Sequence, residues 1–257
     1  MIDIHSHVLW GVDDGAKTLE DSLAMVEMAA AAGTTDIVAT PHASPQYKFD
    51  PGLVQERAEA IRTGARDKGL ALRLHTGCDF HLSFDNIQDA LANPRKYTIN
   101  NSRYLLVEFS DLLIFRNTAD IFARMIEAGM TPIITHPERN PLLCQRLPEL
   151  TTWCEAGALI QVTGQSFGGR FGRRAAEFAR TLMDRGLVHF VASDGHDLIR
   201  RPPRLDEAFL WIQQHYDRDT AELVCVINPR AVLSGDLVFP AEPRSQKSSR
   251  KWYQLWR

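Results

Sequence analysis

Five times along the chain a helical pattern ends in glycine and passes directly into a short β-branched or apolar run. The junctions are Gly33 before Thr34-Thr35-Asp36-Ile37-Val38, Gly69 before Leu70 to Leu74, Gly129 before Met130 to Ile134, Gly157 before Ala158 to Val162, and Gly186 before Leu187 to Val191. Glycine just past a helix end adopts the left-handed cap that other residues resist. The run behind it reads as a parallel strand buried on both faces. Met1 to His5 and Tyr104-Leu105-Leu106-Val107 bring the expected strands to seven. Helix starts agree: Thr18 with Asp21 forms a variant capping box before Leu19, Leu23, Val26 and Ala30, and Asp50-Pro51 caps a second helix. Strands alternating with helices at intervals of about 30 residues predict an α/β fold, as a closed barrel or a doubly wound sheet. Either architecture puts chemistry at the strands' carboxyl ends.

Those ends are rich in metal-ligand residue types. The first strand finishes in His5-Ser6-His7, whose i, i+2 spacing on an extended chain sends both imidazoles to one side. The second runs through Thr40-Pro41 to His42, the third ends in Asp79 after Gly77, and the fourth ends in Glu108. His136 ends the fifth, and Asp194 with His196 the seventh; only the sixth, near Thr163, offers no strong ligand. A carboxylate at the edge of a buried strand is costly unless paired or coordinated, which singles out Glu108. Asp14, in Val12-Asp13-Asp14-Gly15, reads either as a turn acid or as a further ligand. His75, His81, His189 and His215 fall off the pattern and are assigned to structure or surface. Imidazoles and carboxylates together suit Mn, Fe or Zn better than Mg or Ca.

With 257 residues, 44% hydrophobic and 24% charged, the chain suits one large domain over residues 1–240. A formal charge of -3 gives no basic excess for binding nucleic acid. Cys78, Cys144, Cys154 and Cys225 lack C-x-x-C spacing and follow no secretory segment, so the expected setting is the reduced cytoplasm. No apolar run approaches transmembrane length. Residues 241–257 change composition abruptly: five Lys or Arg residues surround Trp252, Tyr253 and Trp256. This tail reads either as a contact for an anionic membrane surface or acidic partner, or as a solvated end.

Ile2-Asp3-Ile4-His5-Ser6-His7, Asp13-Asp14-Gly15, Thr40-Pro41-His42, Val107-Glu108-Phe109, His136-Pro137-Glu138-Arg139 and Ala192-Ser193-Asp194-Gly195-His196 resemble the motifs of the polymerase and histidinol phosphatase (PHP) superfamily. Within it they are most similar to the bacterial manganese-dependent protein-tyrosine phosphatases that accompany capsule and exopolysaccharide tyrosine kinases. The resemblance runs from Met1 to about Leu233. It implies a distorted seven-stranded (β/α) barrel holding three divalent ions, with manganese the expected metal. It also implies that His5, His7 and Asp194 hold one ion, with Asp79 bridging to a second that Glu108 and His136 complete, while Asp14, His42 and His196 hold the third. Where the family usually has Glu, this chain has Asp79, shorter by about 1.5 Å. The implied substrate is phosphotyrosine on a membrane-associated tyrosine kinase.

Phosphomonoester hydrolysis fits such a set, because divalent ions acidify water and clamp phosphoryl oxygens. Arg139 and Arg201 follow ligand motifs and are the expected phosphate forks, with Arg200 an alternative to Arg201; a surface ion pair is the competing reading for each. Ser166-Phe167-Gly168-Gly169-Arg170-Phe171-Gly172 reads as a flexible turn or as an aromatic flank for substrate, and receives no catalytic role. No cysteine has Arg six residues on, which excludes the thiolate-loop phosphatases, and there is no P-loop or dinucleotide fingerprint. A histidinol-phosphatase-like small-molecule enzyme and a non-catalytic metal-stabilised scaffold remain as alternatives.

Overall fold

A computed structural model describes residues 1–243, so the expected tail lies outside the described residues except for its first three positions. All the paired strands are parallel. In chain order they are β1 (Ile2–Ser6), β2 (Asp36–Ala39), β3 (His42–Ala43), β4 (Arg73–Thr76), β5 (Asp79–His81), β6 (Tyr104–Glu108), β7 (Thr131–Thr135), β8 (Leu159–Thr163) and β9 (Phe190–Ala192). They form two sheets, β1-β2-β4 and β3-β5-β6-β7-β8-β9, where one continuous seven-stranded ladder was expected.

The difference has a local cause. Two expected strands break midway: Thr40-Pro41 divides β2 from β3, and Gly77-Cys78 divides β4 from β5. Proline has no N–H for the ladder. Gly77 is needed because a Cβ there would lie 2.9 Å from the Ile99 side chain. Each strand's second half turns into the other sheet, and His42 and Asp79 stand at the first residue after each break, in register with one another. At the opposite side the sheets meet through β1 and the end of β9: Asp194 N donates to His5 O at 2.9 Å and His7 N to Gly195 O at 2.8 Å.

The helices begin and end as the sequence indicates. Thr18 and Asp21 cap α1 (Leu19–Ala31) reciprocally, so Asp serves where Glu or Gln is usual, and the Asp50 side chain caps α2 (Pro51–Asp67). Gly33, Gly69, Gly129, Gly157 and Gly186 all have positive φ. The strands start later than expected after Gly69 and Gly186, at Arg73 and Phe190. In β6, Leu105 and Val107 pack in a cluster with Phe122 and Met125 of α3 (Thr118–Glu127), while Tyr104 and Leu106 pack with Ile4, Val38 and Phe190. Both faces of the strand are therefore apolar, as a covered parallel sheet requires. No helix among the described residues is long and apolar enough to cross a membrane.

Candidate metal centre

At the strands' carboxyl ends the backbone takes unusual shapes that aim side chains inward. His136, just past β7, has φ 34°, and Asp194, just past β9, has φ 51°. Non-glycine residues adopt this left-handed region at some cost, and such strain collects at functional sites. Gly15 and Gly195 permit close passage: a Cβ on Gly15 would lie 2.1 Å from His7 O, and one on Gly195 would lie 2.7 Å from Pro203.

The nine candidate ligands converge in four overlapping groups: His5, His7 and Asp194; His5, Asp79 and His136; His42, Asp79 and Glu108; and His7, Asp14, His42 and His196. In the first group His5 Nε2 and His7 Nε2 are 3.3 Å apart, and Asp194 Oδ1 is 3.4 Å from the one and 3.3 Å from the other. Ligands about 2.1 Å from a tetrahedral ion stand about 3.4 Å apart, so this triangle matches a coordination edge. Around Asp14 Oδ1, His42 Nε2 lies at 3.3 Å and His196 Nε2 at 3.5 Å. Asp79 belongs to two groups, with Oδ2 3.5 Å from His5 Nε2 and 3.1 Å from His42 Nδ1. Its shorter side chain therefore still reaches both neighbours. The expected Asp79–Glu108–His136 set divides: Glu108 stands with His42, and its Oε1 is 3.7 Å from His136 Nε2.

Several of these atoms are buried with no hydrogen-bond partner: both Asp79 oxygens, His42 Nδ1 and His196 Nε2. The contact between Asp79 and His42 is close but misdirected, since neither atom completes a hydrogen bond. Orphaned buried polar atoms are costly and call for a missing partner. Here all four belong to metal-ligand types aimed at shared points, so the donor set fits divalent ions.

Electrostatics agree. Burial lowers the His5 imidazole, but Asp194 and Asp79 overcome it and push it up to about 9. His42 is also lowered by burial, yet Asp14, Asp79 and Glu108 raise it to about 12. Burial tends to raise the Asp194 carboxyl, but His5, Arg139, His7 and Arg201 hold it well below the usual carboxylate range. Protons on the histidines supply the positive charge that a nest of carboxylates demands. Burial and neighbouring His7 push His196 down to about 4, which keeps its ring neutral and able to ligate.

Residues 1–234 match the family model described as capsular polysaccharide synthesis, CpsB/CapC. The chain belongs to the CpsB/CapC family. It is 33% identical over 99% of its length to all of the putative tyrosine-protein phosphatase CapC of Staphylococcus aureus. Tyrosine-protein phosphatase YwqE of Bacillus subtilis (strain 168) is 30% identical, over 96% of this chain and 97% of that protein. Among solved structures, one reported for YwqE from Bacillus subtilis and CpsB from Streptococcus pneumoniae, described as unique metal-dependent tyrosine phosphatases, matches with a TM-score of 0.89. The match is at 30% identity, covering 95% of this chain and 98% of that one. A lactonase from Listeria monocytogenes shares the fold alone, at TM-score 0.56 and 12% identity.

Within this CpsB/CapC chain the two arginines also reach the cluster. Arg139 Nη1 and Arg201 Nη2 both donate to Asp194 Oδ2, and the Arg139 guanidinium lies 4.3 Å over the Phe171 ring. Arg200 is exposed, so Arg201 is the one brought to the centre. Sequence reasoning missed the residues behind the ligands. Asp13 Oδ2 accepts from His7 Nδ1 at 2.7 Å, Gln161 Oε1 accepts from His5 Nδ1 at 2.9 Å, and Asp194 O accepts from His196 Nδ1 at 2.9 Å. Each bond fixes a proton on Nδ1 and leaves Nε2 facing the cluster. Glu138 is buried and accepts from Thr163 N at 2.9 Å and Ser166 Oγ at 2.7 Å, holding the end of β8. The doublet Asp13-Asp14 was the one visible signal; a Gln inside a strand gives none. His81, assigned to structure or surface, stands 3.5 Å from Glu108.

Proposed function

We propose that this chain is a metal-dependent protein-tyrosine phosphatase whose substrate is phosphotyrosine on a membrane-associated tyrosine kinase governing capsule or exopolysaccharide synthesis. The observation that carries the reading is the convergence of nine histidine and carboxylate ligands with orphaned buried atoms, in a chain similar along nearly its whole length to tyrosine-protein phosphatases. In this reading the two sheets act together as a distorted seven-stranded barrel, residues 1–240 form the catalytic domain, and the tail meets an anionic membrane face. The ions number three, with manganese preferred. His5, His7 and Asp194 would hold the first and Asp14, His42 and His196 the third; for the second, Asp79 stands between His5 with His136 on one side and His42 with Glu108 on the other. When bound, such ions acidify water to a nucleophile near neutral pH and neutralise phosphoryl charge.

The chain's own residues do the rest. Asp13 and Gln161 orient the His7 and His5 rings, so the cluster needs little reorganisation when it is loaded. Arg139 and Arg201 stand at its rim with guanidinium forks that suit two phosphoryl oxygens, and they keep their charge at any working pH. The ring of Phe171 under Arg139 restrains that side chain.

Side-by-side assays of the full chain with phosphotyrosine peptide and histidinol phosphate, after chelation and then after manganese reloading, test the reading. Peptide turnover that disappears on chelation and returns with manganese is expected. Preference for histidinol phosphate, or turnover that survives chelation, overturns it.

A further inference from the structure

A cleft of about 500 Å³ opens directly beside Asp14 and His196; Ala16, Met25, Leu198 and Ile199 give it an aliphatic surface, with the charged groups of Lys17, Asp21, Asp197 and Arg200 also on its lining. Ile199 is 81% exposed and Leu198 36% exposed. Loops ordinarily turn such side chains inward when they are free to do so. This one is not free. Asp197 Oδ1 accepts from the backbone N–H of Ile199 at 2.6 Å, Arg200 at 2.5 Å and Arg201 at 3.4 Å. From the glycine-rich turn after β8, Arg170 Nη1 donates to Ile199 O at 3.1 Å and Arg200 O at 2.7 Å. His196 N closes the loop by donating to Arg201 O at 2.8 Å. The aliphatic pair is thus held outward by a built clamp, on the same short loop that delivers the Arg201 guanidinium to Asp194.

We propose that this cleft receives the aryl ring of phosphotyrosine, with Leu198 and Ile199 as its wall and Arg170 and Asp197 as positioning residues that keep the wall in place. The inference rests on the phosphatase reading above and adds the determinant of aryl over alkyl phosphate. In an aryl phosphate the ring is joined to phosphorus through the ester oxygen, so it must lie just outside a phosphate held at the cluster, and the cleft beside Asp14 and His196 opens there. The cleft beside Glu108 and His136, of about 380 Å³, is smaller and offers a ring only Phe109 and Leu112 among Ser110, Asp111, Arg139 and Asn140, polar groups that would lose water. A larger cleft, about 810 Å³ between Gln165 and Trp211, contains none of the nine candidate ligands. The clamp also accounts for Gly168-Gly169-Arg170, which the phosphatase chemistry itself leaves without a task.

The test is calorimetric titration of the manganese-loaded full chain with phenylphosphonate and with methylphosphonate. Covering one face of a phenyl ring is worth about tenfold in affinity, so the wild type is expected to prefer the phenyl compound by that factor. Replacing both wall residues, Leu198→Ser with Ile199→Ser, is expected to bring the preference to within about twofold. Arg170→Met, which keeps both wall side chains but frees the loop, is expected to lower it part of the way. Leu112→Ser, at the 89% exposed leucine of the cleft beside Glu108 and His136, is expected to leave it intact. A wild type without preference, a doubly substituted chain that keeps it, or its loss in Leu112→Ser overturns the proposal. The phosphonates are not hydrolysed, so the titration is separate from turnover. A chain that hydrolyses no peptide fails the phosphatase reading, whereas a flat preference in one that does fails the slot alone.

Discussion

Replacing Asp13 by Asn keeps the shape of the side chain and removes its charge. In the native chain every neighbour of this carboxylate is a donor: His7 Nδ1 at 2.7 Å and His42 N at 3.2 Å on Oδ2, and Gly15 N at 2.9 Å on Oδ1. Asn offers one acceptor oxygen and one NH2 group, so a donor must face a donor. If the NH2 group faces His7, the cheapest response is a switch of tautomer that puts the proton on Nε2. That atom is the one facing His5 and Asp194. Losing the partner of a ligating histidine weakens metal binding about 10–100-fold, or about 1.4–2.8 kcal/mol. Competition between the protein and a chelating dye for manganese reads this directly. Melting in excess chelator reads the separate cost of an unmet buried donor, about 1–3 kcal/mol. If the amide oxygen turns to His7 instead, Gly15 N–H goes unmet and the whole cost appears in the metal-free melt. Affinity within twofold of wild type, with a lowered metal-free Tm, therefore refutes the tautomer argument.

Arg201→Met is expected to cut kcat/KM for phosphotyrosine peptide about 100-fold, as loss of one charged donor to a transition state does; a fall below threefold removes Arg201 from the phosphate clamp. Asp36→Asn breaks the links to Arg73 Nε at 2.7 Å and His75 Nε2 at 2.9 Å and is expected to cost about 1 kcal/mol in urea unfolding, discounted because Arg73 is exposed. Burial raises the Asp36 carboxyl, but Arg73, His75 and Thr35 outweigh it and hold it below its ordinary value. Its stabilisation is then complete above about pH 4 and lost as pH falls through the lowered value, so the gap between wild type and variant should close in acid; a gap that widens there contradicts the assignment. Deleting residues 244–257 is expected to reduce cosedimentation with anionic liposomes in a salt-dependent way, and equal binding by the shortened chain discards the membrane role of the tail.

Much of this architecture was legible because it obeys short periods. Glycine after each helix and the apolar runs behind it mark the strands, and the i, i+2 pair His5 and His7 marks where the chemistry sits. Periodicity alone makes two strands continuous through Pro41 and Gly77; the breaks there divide them between two sheets and bring His42 and Asp79 into register. Gln161 and Glu138 give no sign of their supporting roles because their partners lie 156 and 25 residues away, whereas Asp13, six residues from His7, stands in the visible Asp13-Asp14 doublet. No local pattern encodes a contact whose distance along the chain is set by the closing of the sheets. Arg170 failed to register for the same reason, since its acceptors are 29 and 30 residues downstream.

Among the described strands, β1 waits longest for the side chains that meet it at the cluster. His5 and His7 precede their neighbours Asp194 and His196 by some 190 residues. At about 5–20 residues per second, that interval lasts on the order of 10–40 seconds. Until β9 is made the two imidazoles therefore stand without the acid that completes their triangle. The triangle of His5, His7 and Asp194 is timed by the last described strand, not by the first.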